Sequence, residues 1–166
     1  MFKKILVPLD GSRLSSRALP YAIDVAKCFK AEIILLRVTK PTTPVVATGN
    51  TGIVSPQATE MAIAAATAVD KKNTARAKRY LNTKAQKLKV ADIQYVCRVF
   101  LGKPADTIIK LSQKEHIDLI IMSSRGKSGL KRAILGSITD QVVRLSGKPV
   151  LVIGQTIKFK NKYKEE

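Results

Sequence analysis

The chain has no tryptophan, one histidine and two cysteines, and it sets only 12 acidic residues against 30 lysines and arginines. Each shortage removes a class of chemistry. With His116 alone there is little material for a histidine-based metal site or a Ser-His triad, and a polar turn residue ahead of a strand is the simpler role for it. Cys28 and Cys97 have neither metal-ligand nor C-x-x-C spacing, so buried free thiols in a helix and a strand are expected. No apolar run is long enough to cross a bilayer, and the run that begins after Met1-Phe2-Lys3-Lys4 ends at Pro8, too soon for a secretion signal. A soluble cytoplasmic protein is expected. A P-loop is missing as well: Gly126-Lys127-Ser128 imitates its end, but the position five residues before Gly126 is Ile121 rather than glycine. The G-x-G-x-x-G dinucleotide fingerprint also fails, which argues against a Rossmann dehydrogenase.

What is present begins with charge. A formal net charge of +18 keeps counter-anions close, whether nucleotides, nucleic acid, acidic proteins or anionic lipid, and does not choose among them. The basic residues thicken between Lys71 and Lys89 and again from Lys158 to Lys164. Only Tyr80 is interleaved with the first of these runs, so stacking on single-stranded nucleic acid has little support and a solvated basic face is the ordinary reading.

At 166 residues with 45% hydrophobic composition, one domain with a real core is expected. Ile5-Leu6-Val7 within Lys3 to Leu9, and Ile33-Ile34-Leu35-Leu36 within Glu32 to Val38, are short apolar runs suited to strands buried on both faces. Between them Leu14, Ala18, Ala22, Val25, Ala26 and Phe29 mark one helix face, with Pro20 expected to kink it. The opening is thus β-α-β with a right-handed crossover. Residues 40–55, rich in proline, threonine and glycine, have no period and are expected to form a mobile loop. From Pro56 to about Lys89 an alanine-rich segment predicts one long helix, or two joined near Asp70 to Asn73. Gln94 to Phe100 predicts a third strand. Pro104 stands at the first turn of the next helix, whose Ile108, Ile109 and Leu111 cover the sheet. Asp118 to Met122 and Val150 to Ile153 supply the fourth and fifth strands, and the basic residues 156–166 form a frayed tail behind a domain of residues 1–155.

The most informative stretch runs from Ile120 to Asp140. An apolar strand empties into a loop of small and basic residues, Ser123-Ser124-Arg125-Gly126-Lys127-Ser128-Gly129, with Lys131 and Arg132 beyond it. A helix start at Gly136-Ser137 follows, read with Ser137 as N-cap and Asp140 as its capping-box partner. In parallel α/β sheets ligands sit beyond the carboxyl ends of the strands, where this loop lies, and free N–H groups at a helix start suit an anion. Ser137 as a pure cap would need no ligand, and Asp10 could be an Asx-type turn cap ahead of Gly11-Ser12 as readily as an acceptor for a ribose hydroxyl.

Residues Gly126 and Gly136, with nine residues between them and Ser137 after them, resemble the G-x2-G-x9-G-[S/T] nucleotide loop of the universal stress protein family, whose first glycine falls here at Ser123. Ile5-Leu6-Val7-Pro8-Leu9-Asp10-Gly11-Ser12 is similar to the family's first strand and aspartate loop, and Leu35-Leu36-Arg37-Val38 to its second strand. The resemblance covers Lys3 to Ile153. It implies a single-domain, three-layer α/β sandwich with a five-stranded parallel sheet of order 3-2-1-4-5 and about four helices, Rossmann-like and similar to adenine nucleotide alpha hydrolases. It also implies a homodimer joined through strand 150–153 and, in one branch of the family, ATP, ADP or AMP at the carboxyl edge of the sheet, with Mg2+ held mainly by the phosphates. Matched residue by residue, Pro8, Leu9 and Asp10 would line the adenosine side and Val38 would touch adenine. Met122, Ser123, Arg125 and Gly126 would form the near wall, and Gly136, Ser137, Ile138 and Thr139 would hold the phosphates. Hydrolysis stays open, since no general base or arginine pair is evident from spacing. Three functions compete: a nucleotide-dependent regulatory protein of the stress response with an unknown protein partner, a family member acting as an interaction module without nucleotide, and a polyanion binder using Lys71 to Lys89.

Overall fold

Ile5, Leu6 and Val7 are wholly buried, and so are Ile33 to Leu36, as strands sandwiched between two helical layers require. The computed structural model describes residues 1–45, 55–124 and 135–154. Along the chain it contains β1 (Lys4–Pro8), a single 3-10 turn (Ser15–Arg17), α1 (Ala18–Phe29), β2 (Glu32–Thr39), α2 (Pro56–Val90), β3 (Tyr95–Leu101), α3 (Pro104–Lys114), β4 (Leu119–Ser123), α4 (Ser137–Leu145) and β5 (Val150–Ile153). The strands form one sheet of order β3-β2-β1-β4-β5, every neighbouring pair parallel. Each strand begins and ends within a residue or so of the bounds read from the sequence.

The side-chain alternation of the strands divides the core in two. Ile5, Val7, Leu9, Ile33 and Leu35 face Leu19, Ala22 and Ala26 of α1 and Leu81, Ala85 and Leu88 of α2. Leu6, Ile34, Leu36, Ile120 and Met122 face Ile108 and Leu111 of α3 and Val142 of α4. Helices therefore cover both faces of the sheet, the three-layer arrangement of doubly wound α/β folds. Going out from β1 the chain fills β2 and β3, and then crosses back to lay β4 on β1's other side. The direction of winding reverses between β1 and β4, which leaves a crevice at their carboxyl ends.

An expectation about α1 changes, and the alternatives left open for the alanine-rich segment are decided. Pro20 does not kink α1, because the helix begins at Ala18 after the 3-10 turn, and this places Pro20 in the first turn, where its missing N–H would have had no partner. The segment from Pro56 is one helix of 35 residues with no joint near Asp70. Ser55 caps it by accepting the N–H of Ala58 at 3.1 Å, and Pro56 fits its first position. Asp70 serves as an anchor instead. Its Oδ1 accepts both the N–H of Thr42 at 2.9 Å and the hydroxyl of Thr42 at 2.7 Å, which pins the chain leaving β2 to the middle of α2. Residues 46–54 of the expected loop, residue 155 and the basic tail 156–166 lie outside the described residues. Cys28 is exposed rather than buried, on the outer face of α1, while Cys97 is half-buried in β3 and burial pushes its thiol pKa up. His116 is an exposed turn residue with φ 53° between α3 and β4, as expected. Among the described residues no helix is long and apolar enough to cross a membrane.

Candidate functional site

The crevice is built first from the end of β1. Pro8 closes the strand, and Leu9 adds one more parallel bond by donating its N–H to the Leu36 carbonyl at 2.8 Å. Asp10 then turns the chain: its Oδ1 accepts the N–H of Ser12 at 2.9 Å, an Asx turn, and its own N–H donates to Ser15 Oγ at 3.2 Å. Ser15 is buried and locked in return, with its N–H bonded to Ser12 Oγ and its hydroxyl to the Ser12 carbonyl. Gly11 sits inside this knot at φ 82°, a left-handed conformation for which glycine is the natural residue.

The opposite wall comes from β4 and α4. Ser124 donates to the Ile153 carbonyl at 2.9 Å, and Gly136 donates to the Ser124 carbonyl at 2.8 Å, so the two ends of the loop return to one point. Gly136, not Ser137, is the N-cap: Asp140 donates its N–H to the Gly136 carbonyl at 2.9 Å, so the helix starts one residue earlier than the capping-box reading allows. Among the described residues no side chain caps this end. Asp140 instead accepts from Arg144 Nε at 3.1 Å, one turn along. Ser137 is therefore the first helical residue, and the N–H groups of that turn have no carbonyl four residues back to bond. Such groups, at the positive end of the helix dipole, suit an anion. Ser123 is the last residue of β4 and is not among the residues with positive φ, so the backbone there accepts serine without strain where the family pattern has glycine.

Pro8, Leu9, Asp10, Val38, Met122, Ser123, Ile138 and Thr139 line one small, mainly apolar pocket of about 90 Å³. Gly136 and Ser137 line an adjoining cleft of about 840 Å³ that shares Asp10, Val38, Ile138 and Thr139 with the pocket. Arg125 and Gly126, and with them Lys127, Lys131 and Arg132, lie outside the described residues. Sequence reasoning missed four residues of the pocket wall, Ser15, Leu36, Pro104 and Ile108, because strand and helix periodicity marks them only as core or as a helix start.

It also missed Arg37. Nη1 of this half-buried guanidinium donates to the Leu9 carbonyl at 3.1 Å, and its Cζ lies 5.9 Å from the centre of the Tyr80 ring. Burial lowers its pKa, while Asp10 and Tyr80 act in the opposite sense. An arginine in such a setting remains a cation at physiological pH. Among the described residues no cluster of histidine, cysteine, aspartate or glutamate could hold a metal ion by itself.

The arrangement thus offers a narrow apolar slot, a carboxylate at the end of the central strand and a helix start on the far side. Comparisons with known proteins bear on the fold and the family. The family model described as "Universal stress protein family" matches residues 1–154. The universal stress protein YxiE of Bacillus subtilis is 35% identical over 92% of this chain and 99% of its own. The solved structure of MJ0577, from Methanocaldococcus jannaschii, superposes with a TM-score of 0.78 at 29% identity, covering 95% of this chain and 99% of that one. A universal stress protein solved in complex with cAMP has a TM-score of 0.65 at 21% identity, covering 92% and 97% of the two chains, and so bears on the fold alone. With the sheet order, the switch-point crevice and the Gly136-Ser137 helix start all in place, the chain belongs to the universal stress protein family.

Proposed function

We propose that this chain binds an adenine nucleotide, ATP, ADP or AMP, at the carboxyl edge of its sheet, and that occupancy governs its contacts with a protein partner in the stress response. The observation that carries the reading is the pocket itself: Val38, Ile138 and Met122 make an apolar slot for a flat ring, with Asp10 at its mouth. Asp10 accepts a ribose hydroxyl with its carboxylate, which the Ser12 N–H holds in position. The first N–H groups of α4 receive the phosphates, joined by Gly136 and the exposed hydroxyl of Ser137. The family pattern would add Arg125 and Gly126, which lie outside the described residues. Mg2+ rides on the phosphates and is not gripped by a protein cage, in keeping with the few waters that magnesium surrenders.

The protein works as a homodimer through β5. Among the described residues that strand pairs only with β4, with Leu151 partly exposed on it and Val143 and Leu145 exposed on α4. Its place of action is the cytoplasm.

The deciding experiment is thermal unfolding with increasing magnesium-ATP, on protein shown by mass spectrometry to carry no retained nucleotide. Ligand that binds only the native state stabilises it by about 2.7 kcal/mol at a hundred times Kd, and so raises Tm with dose. A flat response would assign the chain to the interaction modules that work without nucleotide.

A further inference from the structure

The cleft has a second charged side that the nucleotide reading leaves unused. Arg37 from β2 and Arg76 from α2 line it together with Lys40 and Tyr80. These groups stand on the α1–α2 side of the sheet, since α2 packs through Leu81 and Leu88 into the same core as Val7 and Leu9. The first turn of α4 stands on the other side, with Val142 buried against Leu6 and Ile120. Asp10, at the end of the central strand, lines both the apolar pocket and the cleft. A ligand with its ribose at Asp10 therefore has positive charge on two sides.

Arg37 is held in place. Besides its bond to the Leu9 carbonyl and its position over Tyr80, its Nη1 would stand 3.1 Å from a Cβ at Gly11, so glycine there leaves the guanidinium its room. Tyr80 is fixed in turn by a hydrogen bond of 3.0 Å between its hydroxyl and Ser16 Oγ. The described ion pairs are Arg98 with Glu115 and Arg144 with Asp140, and none of Arg37, Lys40 and Arg76 takes part in them. The cations therefore face a cleft already large enough, at about 840 Å³, for a small-molecule ligand.

We propose that Arg37, Lys40 and Arg76 form a second phosphate subsite, so that the preferred ligand is an adenosine nucleotide carrying an additional phosphate on a ribose hydroxyl. The inference rests on the nucleotide reading above. With one ribose hydroxyl kept by Asp10, a phosphate on the neighbouring ribose hydroxyl stands in the cleft that Arg37, Lys40 and Arg76 line. Asp10 opposes it with one negative charge against three positive ones, and the Ser12 N–H already occupies its Oδ1. Arginine suits this role because its planar fork grips two phosphate oxygens at once.

Isothermal titration calorimetry with AMP, ATP, adenosine 3′,5′-bisphosphate and adenosine 2′,5′-bisphosphate tests this. One of the bisphosphates binds at least roughly tenfold tighter than AMP, the gain expected of a charge-assisted contact. In R76Q and K40Q, exposed positions whose change leaves the core untouched, the ratio of the two affinities falls towards one. Equal affinity of AMP and both bisphosphates for the native sequence would overturn the subsite and leave nucleotide binding standing. So would an R76Q variant that loses as much affinity for ATP as for the bisphosphate, since the cations would then read the 5′ chain. No binding of any of the four would overturn the nucleotide reading itself.

Discussion

The hydroxyl of Thr139 donates to the carbonyl of Ser123 at 3.1 Å, across a separation of 16 residues and out of contact with water. This bond ties the first turn of α4 to the last residue of β4, so that the helix start and the strand end form one rigid wall whatever the intervening residues do. Thr139→Val keeps the shape and removes the donor, so the Ser123 carbonyl loses this bond. A loss of about 0.5–1.5 kcal/mol in stability is expected, read as a lower urea midpoint with an unchanged slope. Nucleotide affinity falls with it. A variant as stable as the native chain would show that the bond contributes nothing to positioning α4.

Gly136 has φ −63° and ψ 149°, an extended conformation open to any residue, so glycine is not demanded there by the backbone. Gly136→Val should therefore fold with a native-like Tm. It should nevertheless abolish nucleotide binding, because a branched side chain fills the space where main-chain N–H groups meet phosphate. Undiminished affinity in calorimetry would place the phosphates elsewhere.

Asp118 provides a test of pH dependence far from the site. Its Oδ2 accepts the N–H groups of Lys3 at 2.8 Å and Lys4 at 2.9 Å, and these bonds hold its pKa below the ordinary carboxylate value. A group whose pKa is depressed by folding adds stability above its unfolded pKa, about 3.9 for aspartate, and loses that contribution as pH falls through the folded value. The side chain is largely solvated, so the effect is small. In D118N the decline of Tm below about pH 4 should be shallower than in the native protein. Identical acid limbs would mean that the two backbone bonds do not depend on the charge.

Leu151 lies on β5, the last strand of the sheet, and is partly exposed. Leu151→Arg places a charge at the centre of the proposed dimer contact. Light scattering should find a dimer for the native chain and a monomer for the variant, each at the same concentration and with unchanged circular dichroism. A native chain that scatters as a monomer would remove the dimer from the account.

Much of this protein is legible in its sequence because the strands are buried on both faces. Such strands must be continuous apolar runs, and Ile5-Leu6-Val7 and Ile33 to Leu36 can hardly be anything else. Asp10 is visible because an Asx turn permits few residue types, and the Gly136-Ser137 helix start because its spacing from Gly126 resembles the family's nucleotide loop. Periodicity fails where a residue's role depends on something distant in the chain. Asp70 reads as a possible break in α2, and only folding brings Thr42 to it. Ser137 reads as a cap until the carbonyl of Gly136 takes up the first helical bond. Arg37 reads as one residue of a strand, and Arg76 as one among many cations of a basic run.

The sequence by itself determined the α/β class, the strands and the stretches that meet at the sheet's carboxyl edge, since local pattern and burial decide these. Tertiary structure alone decided that Arg37 is set over Tyr80, that Arg76 shares its cleft with Ser137, and that Thr139 closes on Ser123. Each of these pairs is far apart in the chain, and the contacts exist only because packing two helical layers on a sheet that reverses its winding at β1 and β4 brings them together.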